Sequence, residues 1–246
     1  MAENSSIQWT DHTFNPWIGC TKISPACDNC YAELYDNRFS KQSRWGSKAA
    51  RTRTKNWGYP KKWNAIAQHL GVRNKVFCAS LADVFDNHPS IDRSWREDLW
   101  SLIRQTEHLD WLLLTKRPQN ITKFLPHDWS EGYKNVWLGT TVENQTEYDR
   151  RVPVLSDIPA EKRFLSMEPL IGPVTLSKPE KINWIIVGGE SGSSFRPINP
   201  QWVRHIRNQC KTNNIHFFFK QWSGRNQRAL KGLGRELDGL IYDERP

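Results

Sequence analysis

The sequence predicts an α/β fold in which parallel strands alternate with helices, as an open sheet or as a sheet closed into a TIM-like barrel. Three observations predict it. Short runs of branched and aromatic residues recur along the 246 residues, amphipathic segments lie between them, and the runs are nearly continuous rather than alternating. Continuous apolar runs are typical of strands buried on both faces, as in a parallel (β/α) sheet.

Six such runs are predicted as strands, and a weaker run at residues 7–10 as an additional first strand. The segments 91–107 and 200–212 are predicted as helices, with N-cap candidates at Ser90 and Asn199. Because no internal repeat or low-complexity linker interrupts the pattern, we expect residues 1–246 to form one domain. The six strands cover residues 75–80, 111–115, 136–140, 163–166, 182–187 and 215–219.

The composition is typical of a soluble globular protein, with 37% hydrophobic and 25% charged residues. No apolar run approaches the roughly 18 residues of a membrane span. The first residues also lack the basic and then apolar pattern of a signal peptide. We therefore expect a cytoplasmic protein without membrane partners, in which most of the 13 tryptophans lie in the core.

The net charge of +9 is concentrated in a basic, tryptophan-rich insertion at residues 38–75, which holds eleven basic residues and no acidic one. Basic side chains with interleaved aromatic rings neutralise phosphates and stack on bases, so nucleic acid or a nucleotide is a candidate partner. A solvated basic helix with core tryptophans is the alternative. The candidate substrate contacts are Arg44, Trp45, Arg51, Arg53, Lys55 and Trp57.

Polar residues or glycines follow each of the six predicted strands. In a parallel barrel the carboxyl ends of the strands converge on one face, where active sites are built. We therefore predict one shared cleft, although each residue singly has a structural alternative as a helix cap or salt-bridge partner. The strand-end candidates are Ser80, Asp83, Thr115, Lys116, Arg117, Glu143, Ser166, Glu168, Gly188, Gly189, Glu190 and Lys220.

Three of the five cysteines lie together as C-x6-C-x2-C, at Cys20, Cys27 and Cys30 in the loop of about residues 15–31. Thiolate is the ligand that zinc and iron–sulfur clusters prefer. A cubane held by three cysteines leaves one iron free for a substrate or cofactor, whereas a fourth ligand would favour zinc. Both interpretations stay open here.

A fourth ligand could come from His12, Cys78 or Cys210. The two isolated cysteines are otherwise predicted to be small buried hydrophobic residues. Three buried cysteines without any metal are a further alternative.

Several sequence blocks, in order, resemble the phage Gp37/Gp68 family, also called DUF5131. The resemblance extends from Ile7 to about Pro246. The blocks are IQWTDHTFNPWIGCTKISPACDNCYAE, VFCASLADVFD, WLLLTKRP, VWLGTTVENQ, RFLSMEPLIGPV, INWIIVGGESG and FFFKQW.

The resemblance implies a radical-SAM-like protein with a partial TIM barrel and a three-cysteine loop after its first strand. By that resemblance Cys20, Cys27 and Cys30 would hold a [4Fe–4S] cluster whose open iron takes S-adenosylmethionine. An electron donor would then drive its cleavage to a 5′-deoxyadenosyl radical in a bacterial or phage-infected cell. The sequence departs from the common C-x3-C-x2-C spacing, and Tyr31 follows the third cysteine instead of an aromatic residue preceding it.

S-adenosylmethionine needs three kinds of partner, and the strand-end residues offer all of them. Carboxylates such as Glu143, Glu168 and Glu190 suit its amino group and ribose, and Lys116 and Arg117 suit its carboxylate. The hydroxyl residues Ser80, Thr115 and Ser166 would orient it, and Asp83 would bind a cation or relay a proton. Gly188 and Gly189 permit close backbone approach, although the family's Gly-Gly-Glu role is not transferred to residues 188–190, because they follow a different strand.

We therefore expect an enzyme of radical SAM type that modifies an anionic substrate, with nucleic acid or a nucleotide as the leading class. The first alternative is a nucleic-acid-binding phage module without catalysis, in which a metal only stabilises the cysteine loop. The second is a metal-independent barrel hydrolase using Glu168 and Glu190 as acid and base. Residues 223–246 are predicted to be an extension that closes one side of the barrel.

Overall fold

The structure is a computed structural model that describes residues 2–40 and 42–246. The chain divides into two compact units. Unit 1 comprises Met1–Lys22, Ala32–Leu138 and Ile158–Glu161, and unit 2 comprises Ile23–Tyr31, Gly139–Asp157 and Lys162–Pro246.

Unit 1 is built on three parallel strands, with helices in the connections between them. Strand β1 pairs with β4 and β4 pairs with β5, both in parallel register, while the short β2 and β3 form a separate antiparallel pair. The strands are β1 (His12–Phe14), β2 (Trp17–Ile18), β3 (Thr52–Arg53), β4 (Asn74–Cys78) and β5 (Leu109–Thr115). The helices are α1 (Tyr31–Phe39), whose first residue is counted in unit 2, α2 (Tyr59–Leu70), α3 (Arg93–Arg104) and α4 (Ile121–Phe124).

Unit 2 also has a parallel core, in which β7 pairs with β8 and β8 with β9. The strands are β6 (Val136–Thr141), whose first three residues belong to unit 1, β7 (Lys162–Met167), β8 (Trp184–Gly188), β9 (His216–Gln221), β10 (Glu236–Leu237) and β11 (Leu240–Ile241). The helices are α5 (Gln145–Ser156), α6 (Pro200–Thr212) and α7 (Gln227–Leu233).

The main sheet has seven strands in the order β1-β4-β5-β6-β7-β8-β9. The described strands leave β1 and β9 at its two edges, so the sheet is open. This confirms the predicted α/β class with a parallel (β/α) sheet, in its partial-barrel form rather than as a full barrel. A two-stranded antiparallel sheet of β10 and β11 lies within the predicted extension at residues 223–246.

The starts of helices α3 and α6 are fixed by side chains that accept a hydrogen bond from the backbone N–H of the first turn. Asn199 accepts a hydrogen bond from the Gln201 N–H, and Pro200 occupies the first turn of α6, which confirms the predicted start. The predicted cap at Ser90 is wrong, because Asp92 accepts the Ser94 N–H at the start of α3.

The predicted first strand is also displaced. Residues 7–10 form a turn, closed by a hydrogen bond from the Thr10 N–H to the Ile7 carbonyl. Strand β1 begins only at His12. The tryptophan prediction is confirmed, because most of the 13 rings are buried, with Trp111 and Trp184 fully covered in the two units. Among the described residues, no helix combines the length and apolar character that crossing a bilayer requires.

Candidate functional site

The carboxyl ends of β4 and β5 in unit 1 are joined by a buried ion pair. Arg117 Nη1 lies 2.9 Å from Asp83 Oδ2, and both side chains are almost fully buried. The Thr115 hydroxyl donates to Asp83 Oδ1 at 2.7 Å, and the Lys116 N–H donates to Asp83 Oδ2 at 3.2 Å. Both oxygens of Asp83 are therefore used inside the protein, which makes it the residue that fixes Arg117.

Arg117 also reaches the first cysteine of the C-x6-C-x2-C motif. Its Nη1 lies 3.6 Å from Cys20 Sγ, and its Nη2 donates to the Thr21 carbonyl at 2.8 Å. Burial and the nearby Asp83 carboxylate raise the pKa of the Cys20 thiol to about 12, while Arg117 acts in the opposite direction. Cys20 is therefore a protonated thiol at neutral pH in the metal-free chain, held beside a cation that favours its thiolate.

Arg51 does not lie on the surface of the basic insertion as predicted. Its side chain is fully buried, and its Nε and Nη2 donate to Asp86 Oδ2 at 3.0 and 2.9 Å. Its Nη2 also donates to the Thr21 hydroxyl at 2.6 Å, next to Cys20. The prediction of a substrate contact at Arg51 is corrected, because a buried guanidinium needs its carboxylate partner and is not available to an external ligand.

The other predicted contacts of the insertion are largely occupied. Arg44 pairs with the buried Asp36, and Trp45 Nε1 donates to the same carboxylate at 3.1 Å. Arg53 pairs with Asp98 at 2.8 Å, in a surface ion pair.

The guanidinium of Arg53 also lies 4.3 Å from the ring centroid of Trp57, which is half-buried. Lys55 is exposed. The three arginines are therefore engaged with carboxylates of the protein itself, all of which lie outside the insertion.

In unit 2, Glu143 holds the loop that carries Cys27 and Cys30. Glu143 follows β6, is fully buried, and accepts a hydrogen bond from the Ala26 N–H at 3.2 Å through Oε1. Its Oε2 accepts from Arg151 Nη1 of α5 at 2.8 Å. Glu143 thus has a partner on each oxygen and positions the cysteine loop.

Glu190, at the end of β8, holds the same loop through a second set of bonds. Arg196 donates to both of its oxygens, at 2.6 Å from Nη2 and 3.0 Å from Nε. Asn29 Nδ2 donates to Glu190 Oε2 at 3.1 Å, and Arg196 Nη2 donates to the Pro25 carbonyl at 2.9 Å. These partners leave neither oxygen free for the acid–base role considered above.

The ionisation of Glu190 follows from these contacts. Burial alone would raise its pKa, but the hydrogen bonds from the Arg196 side chain and N–H and from Asn29 lower it below the ordinary value. Glu190 is therefore an anion at neutral pH, and its charge helps to hold the loop of residues 23–31 against the end of β8.

Three adjacent strand ends of unit 2 form a different arrangement, with an unpartnered oxygen. Lys220 Nζ of β9 lies 2.5 Å from Glu168 Oε2, just after β7. Oε1 of Glu168 is buried and has no hydrogen-bond partner among the described residues. A Cβ added at Gly188, between them on β8, would lie 3.1 Å from Glu168 Cγ. Because a buried carboxylate oxygen normally has a donor, this oxygen is suited to an external N–H or O–H group.

The remaining strand-end candidates differ in how far the protein itself engages them. Ser80 receives a hydrogen bond from Asn15 Nδ2 at 3.0 Å, and the Ser166 carbonyl accepts from the Val142 N–H at 3.0 Å. Position 189 has no room for a side chain, because a Cβ at Gly189 would lie 2.3 Å from the backbone nitrogen of Ser223. The side chain of Lys116 is half-buried, at the end of β5.

All five cysteines are free thiols. Cys78 and Cys210 are fully buried, which confirms their prediction as small hydrophobic residues, and burial raises the pKa of both. His12, the other candidate for a fourth ligand, stacks on Trp63 with ring centroids 4.4 Å apart. Within residues 2–40 and 42–246, no group of three or more His, Cys, Asp or Glu side chains is arranged to hold a metal ion.

Although the described residues form no assembled metal-ligand group, the donor types present match those that the cofactors implied by the resemblance need. Cys27 is buried, Cys20 and Cys30 are partly exposed, and none is committed to a disulfide, so three soft ligands are available. The unpartnered Oε1 of Glu168 and the space at Gly188 suit a ligand with amino or hydroxyl donors. These are the donor types that S-adenosylmethionine presents.

Sequence reasoning missed Asn29, Asp86 and Arg196. Asp86 lies in the same LADVFD block as Asp83, which is a signal that a buried partner for an arginine follows β4. Arg196 belongs to a loop with no periodic pattern, and its contacts depend on the conformation of residues 23–31.

Comparison with known proteins gives one family and one structural similarity. A double mutant of spore photoproduct lyase with bound AdoMet and dinucleoside spore photoproduct is similar with a TM-score of 0.47 and 10% sequence identity. The similarity covers 81% of this chain, which spans about 61% of that protein. No curated protein matches this sequence. A family model described as a protein of unknown function (DUF5131) matches residues 4–246, and the chain therefore belongs to the DUF5131 family.

Proposed function

We propose that this protein is a radical-SAM-type enzyme in which Cys20, Cys27 and Cys30 hold a [4Fe–4S] cluster. The observation that carries the proposal is how each unit holds its part of the cysteine motif. In unit 1, Arg117 at the end of β5 contacts the Cys20 sulfur. In unit 2, Glu143 and Glu190 at strand ends bind the backbone and side chain of the loop that carries the other two cysteines. Carboxyl ends of parallel strands are where cofactors bind in this fold class.

A three-cysteine [4Fe–4S] cluster supplies, when bound, the electron that cleaves S-adenosylmethionine to a 5′-deoxyadenosyl radical. The protein's own task is to bind and orient. We propose that Glu168 Oε1, which is buried and unpartnered, accepts a hydrogen bond from an amino or hydroxyl group of S-adenosylmethionine. Lys220 holds the other oxygen of Glu168 at 2.5 Å. Gly188 leaves space beside that carboxylate.

We further propose an anionic substrate, a nucleic acid or a nucleotide, that is met by lysines rather than by arginines of the basic insertion. Arg44, Arg51 and Arg53 are paired with carboxylates, as described above. The exposed lysines Lys55, Lys61 and Lys62 have no ion-pair partner among the described residues, and Lys62 also lies over the ring of Tyr59 at 5.7 Å. An exposed ammonium group neutralises a phosphate without a desolvation cost of the kind that burial would impose.

The test is anaerobic purification followed by iron and sulfide analysis and measurement of S-adenosylmethionine binding. We expect a brown protein that contains about four irons and releases 5′-deoxyadenosine under reducing conditions. Cys20→Ala, Cys27→Ala and Cys30→Ala should each lose the iron and the colour. Cys210→Ala is the matched control, because it removes a free thiol outside the motif and should keep both.

A colourless protein that binds stoichiometric zinc after anaerobic iron and sulfide treatment would reject the cluster. If the cluster forms but no 5′-deoxyadenosine appears with a strong reductant, the enzymatic proposal fails and a metal-stapled binding module remains.

A further inference from the structure

Unit 1 contains a groove that the strand-end site does not use. It has a volume of about 830 Å³ and lies between α3 and the segment 123–127 that includes the end of α4. Arg96 and Trp100 of α3 line one side, and Lys123 and Phe124 line the other. The groove therefore combines cations with aromatic rings.

Arg96 is unusual among the buried arginines of the described chain. Arg51, Arg117 and Arg151 each form an ion pair with a carboxylate at 2.8–2.9 Å. Arg96, only 9% exposed, forms none with the described carboxylates. Its Nε donates to the Val84 carbonyl at 3.3 Å, and its Nη2 donates to the Asp86 carbonyl. A buried charge is normally paired, so a counter-ion for this guanidinium is missing.

The nearest carboxylates do not supply that counter-ion, because other arginines occupy them. Asp86 is paired with Arg51, and Asp83 is paired with Arg117. These two pairs are neutral, and Arg96 is the positive charge left over. Burial lowers the pKa of Arg96 to about 10, with Asp86 and Asp83 opposing the shift, so the group stays charged at neutral pH.

The rim of the groove adds a second unpaired cation. Arg93 is paired with Glu97 at 2.7 Å, and Arg104 with Asp128 at 3.5 Å. Lys123 is exposed and forms no ion pair with the described residues. After these pairs are counted, Arg96 and Lys123 remain, which matches the double negative charge of a phosphate monoester better than the single charge of a carboxylate.

The floor of the groove suits an organic group attached to that phosphate. The Arg96 guanidinium lies 3.8 Å from the ring centroid of Phe124, and Trp100 donates through Nε1 to the Phe124 carbonyl at 2.9 Å. The bond orients the Trp100 ring, and the Phe124 ring packs against Arg96. Flat apolar surfaces of this kind contact rings and alkyl groups of ligands.

We propose that this groove is a binding site for a small phosphate monoester, with Arg96 and Lys123 as its anion contacts. The site is independent of the radical-SAM proposal, because it uses no cysteine and no strand-end residue of the sites described above.

The experiment is isothermal titration calorimetry of the full chain with phenyl phosphate, inorganic phosphate and benzoate at constant ionic strength. We expect phenyl phosphate to bind more tightly than either other anion. Lys123→Gln should weaken its binding about tenfold, and Arg96→Lys, which keeps the charge but loses the planar fork, should also weaken it. Lys211→Gln, at an exposed lysine of α6 that does not line the groove, is the control and should leave the affinity unchanged.

Absence of phenyl phosphate binding at millimolar concentration would overturn the proposal. So would an affinity that Lys123→Gln and Lys211→Gln reduce equally, since that would indicate general charge attraction. Binding of benzoate or inorganic phosphate as tight as that of phenyl phosphate would also overturn it. Because Lys123 is exposed, its variant tests the site even if Arg96→Lys does not fold.

Discussion

Arg117 Nη1 lies 3.6 Å from Cys20 Sγ and 2.9 Å from Asp83 Oδ2, so one guanidinium links the first cysteine of the motif to the end of β4. Arg117 and Asp83 are both almost fully buried. The arrangement would stabilise a negative charge on the sulfur if the proposed cluster displaced its proton. It also makes the folded state depend on a buried ion pair.

Arg117→Gln should therefore lower the free energy of unfolding by about 3–5 kcal/mol, because it leaves the Asp83 carboxylate buried without its cation. Urea denaturation followed by circular dichroism measures the change. Arg93→Gln, at a side chain that is 92% exposed, is the matched control and should change stability little. The double variant with Asp83→Asn should recover part of the loss. Equal stability of the single and double variants would show that unpaired charge is not the cause.

The Glu190–Arg196 pair predicts a specific pH dependence. The pKa of Glu190 is lower in the folded protein than its ordinary value of about 4.3, so the pair stabilises the fold fully above that value. The contribution is lost as the pH falls through the lowered pKa, where the folded-state carboxylate takes up its proton.

Glu190→Gln should thus cost about 1–3 kcal/mol at pH 7, by the usual strength of hydrogen bonds to charged groups. The difference from the unmodified protein should begin to shrink as the pH falls below the ordinary value and should disappear once the pH is below the lowered folded-state pKa. Urea denaturation at several pH values measures both. A difference that stays constant over this pH range would mean that the Glu190 charge does not hold the loop.

Gly188→Ala tests the space beside Glu168. Its Cβ would lie 3.1 Å from Glu168 Cγ, so the carboxylate must shift and its unpartnered oxygen with it. We expect S-adenosylmethionine to bind about tenfold more weakly, which corresponds to about 1.4 kcal/mol. Equilibrium dialysis of the anaerobic protein measures the affinity.

Gly232→Ala is the control for this substitution, because its Cβ would meet no atom within 4 Å. It should leave the affinity unchanged. Unaltered binding in Gly188→Ala would remove Glu168 from the proposed cofactor site.

Arg51 and Lys55 are expected to behave in opposite ways, although both belong to the basic insertion. Arg51→Gln should destabilise the fold by about 3–5 kcal/mol, because it removes the close cation of the buried Asp86 and leaves only Arg117, at 3.8 Å, to face that carboxylate. Lys55→Gln should leave stability unchanged and lower the slope of log K against log salt for nucleic-acid binding by about 1. Denaturation and filter-binding titrations at several salt concentrations check the pair. Identical salt slopes in Lys55→Gln and the unmodified protein would contradict a lysine contact.

Much of the fold could be predicted from sequence, because strong local patterns mark its elements. Helix α6 has the predicted bounds, since an Asn-Pro start and an amphipathic repeat coincide there. Strand β1 was misplaced because it has only three residues and no long apolar run. The separate pair of β2 and β3 has two residues in each strand, which is too short for any periodicity to appear.

The location of the candidate residues at strand ends was predictable from the sequence, but their pairings were not. The topology of parallel strands places Asp83, Arg117, Glu143, Glu168 and Glu190 at strand ends. Which carboxylate meets which cation depends on long-range contacts that no local pattern encodes. Arg51 and Asp86 are 35 residues apart in the chain, and only the folded unit shows that they form one buried pair.

Glu143 accepts one hydrogen bond from Ala26 of the cysteine loop and another from Arg151 of α5. A chain break or chemical damage within residues 23–31 would deprive this carboxylate of one of its two donors. The resulting loosening would spread to α5, a helix remote in sequence from the injury. Faster amide hydrogen exchange in α5 would therefore report that the cysteine loop is no longer intact.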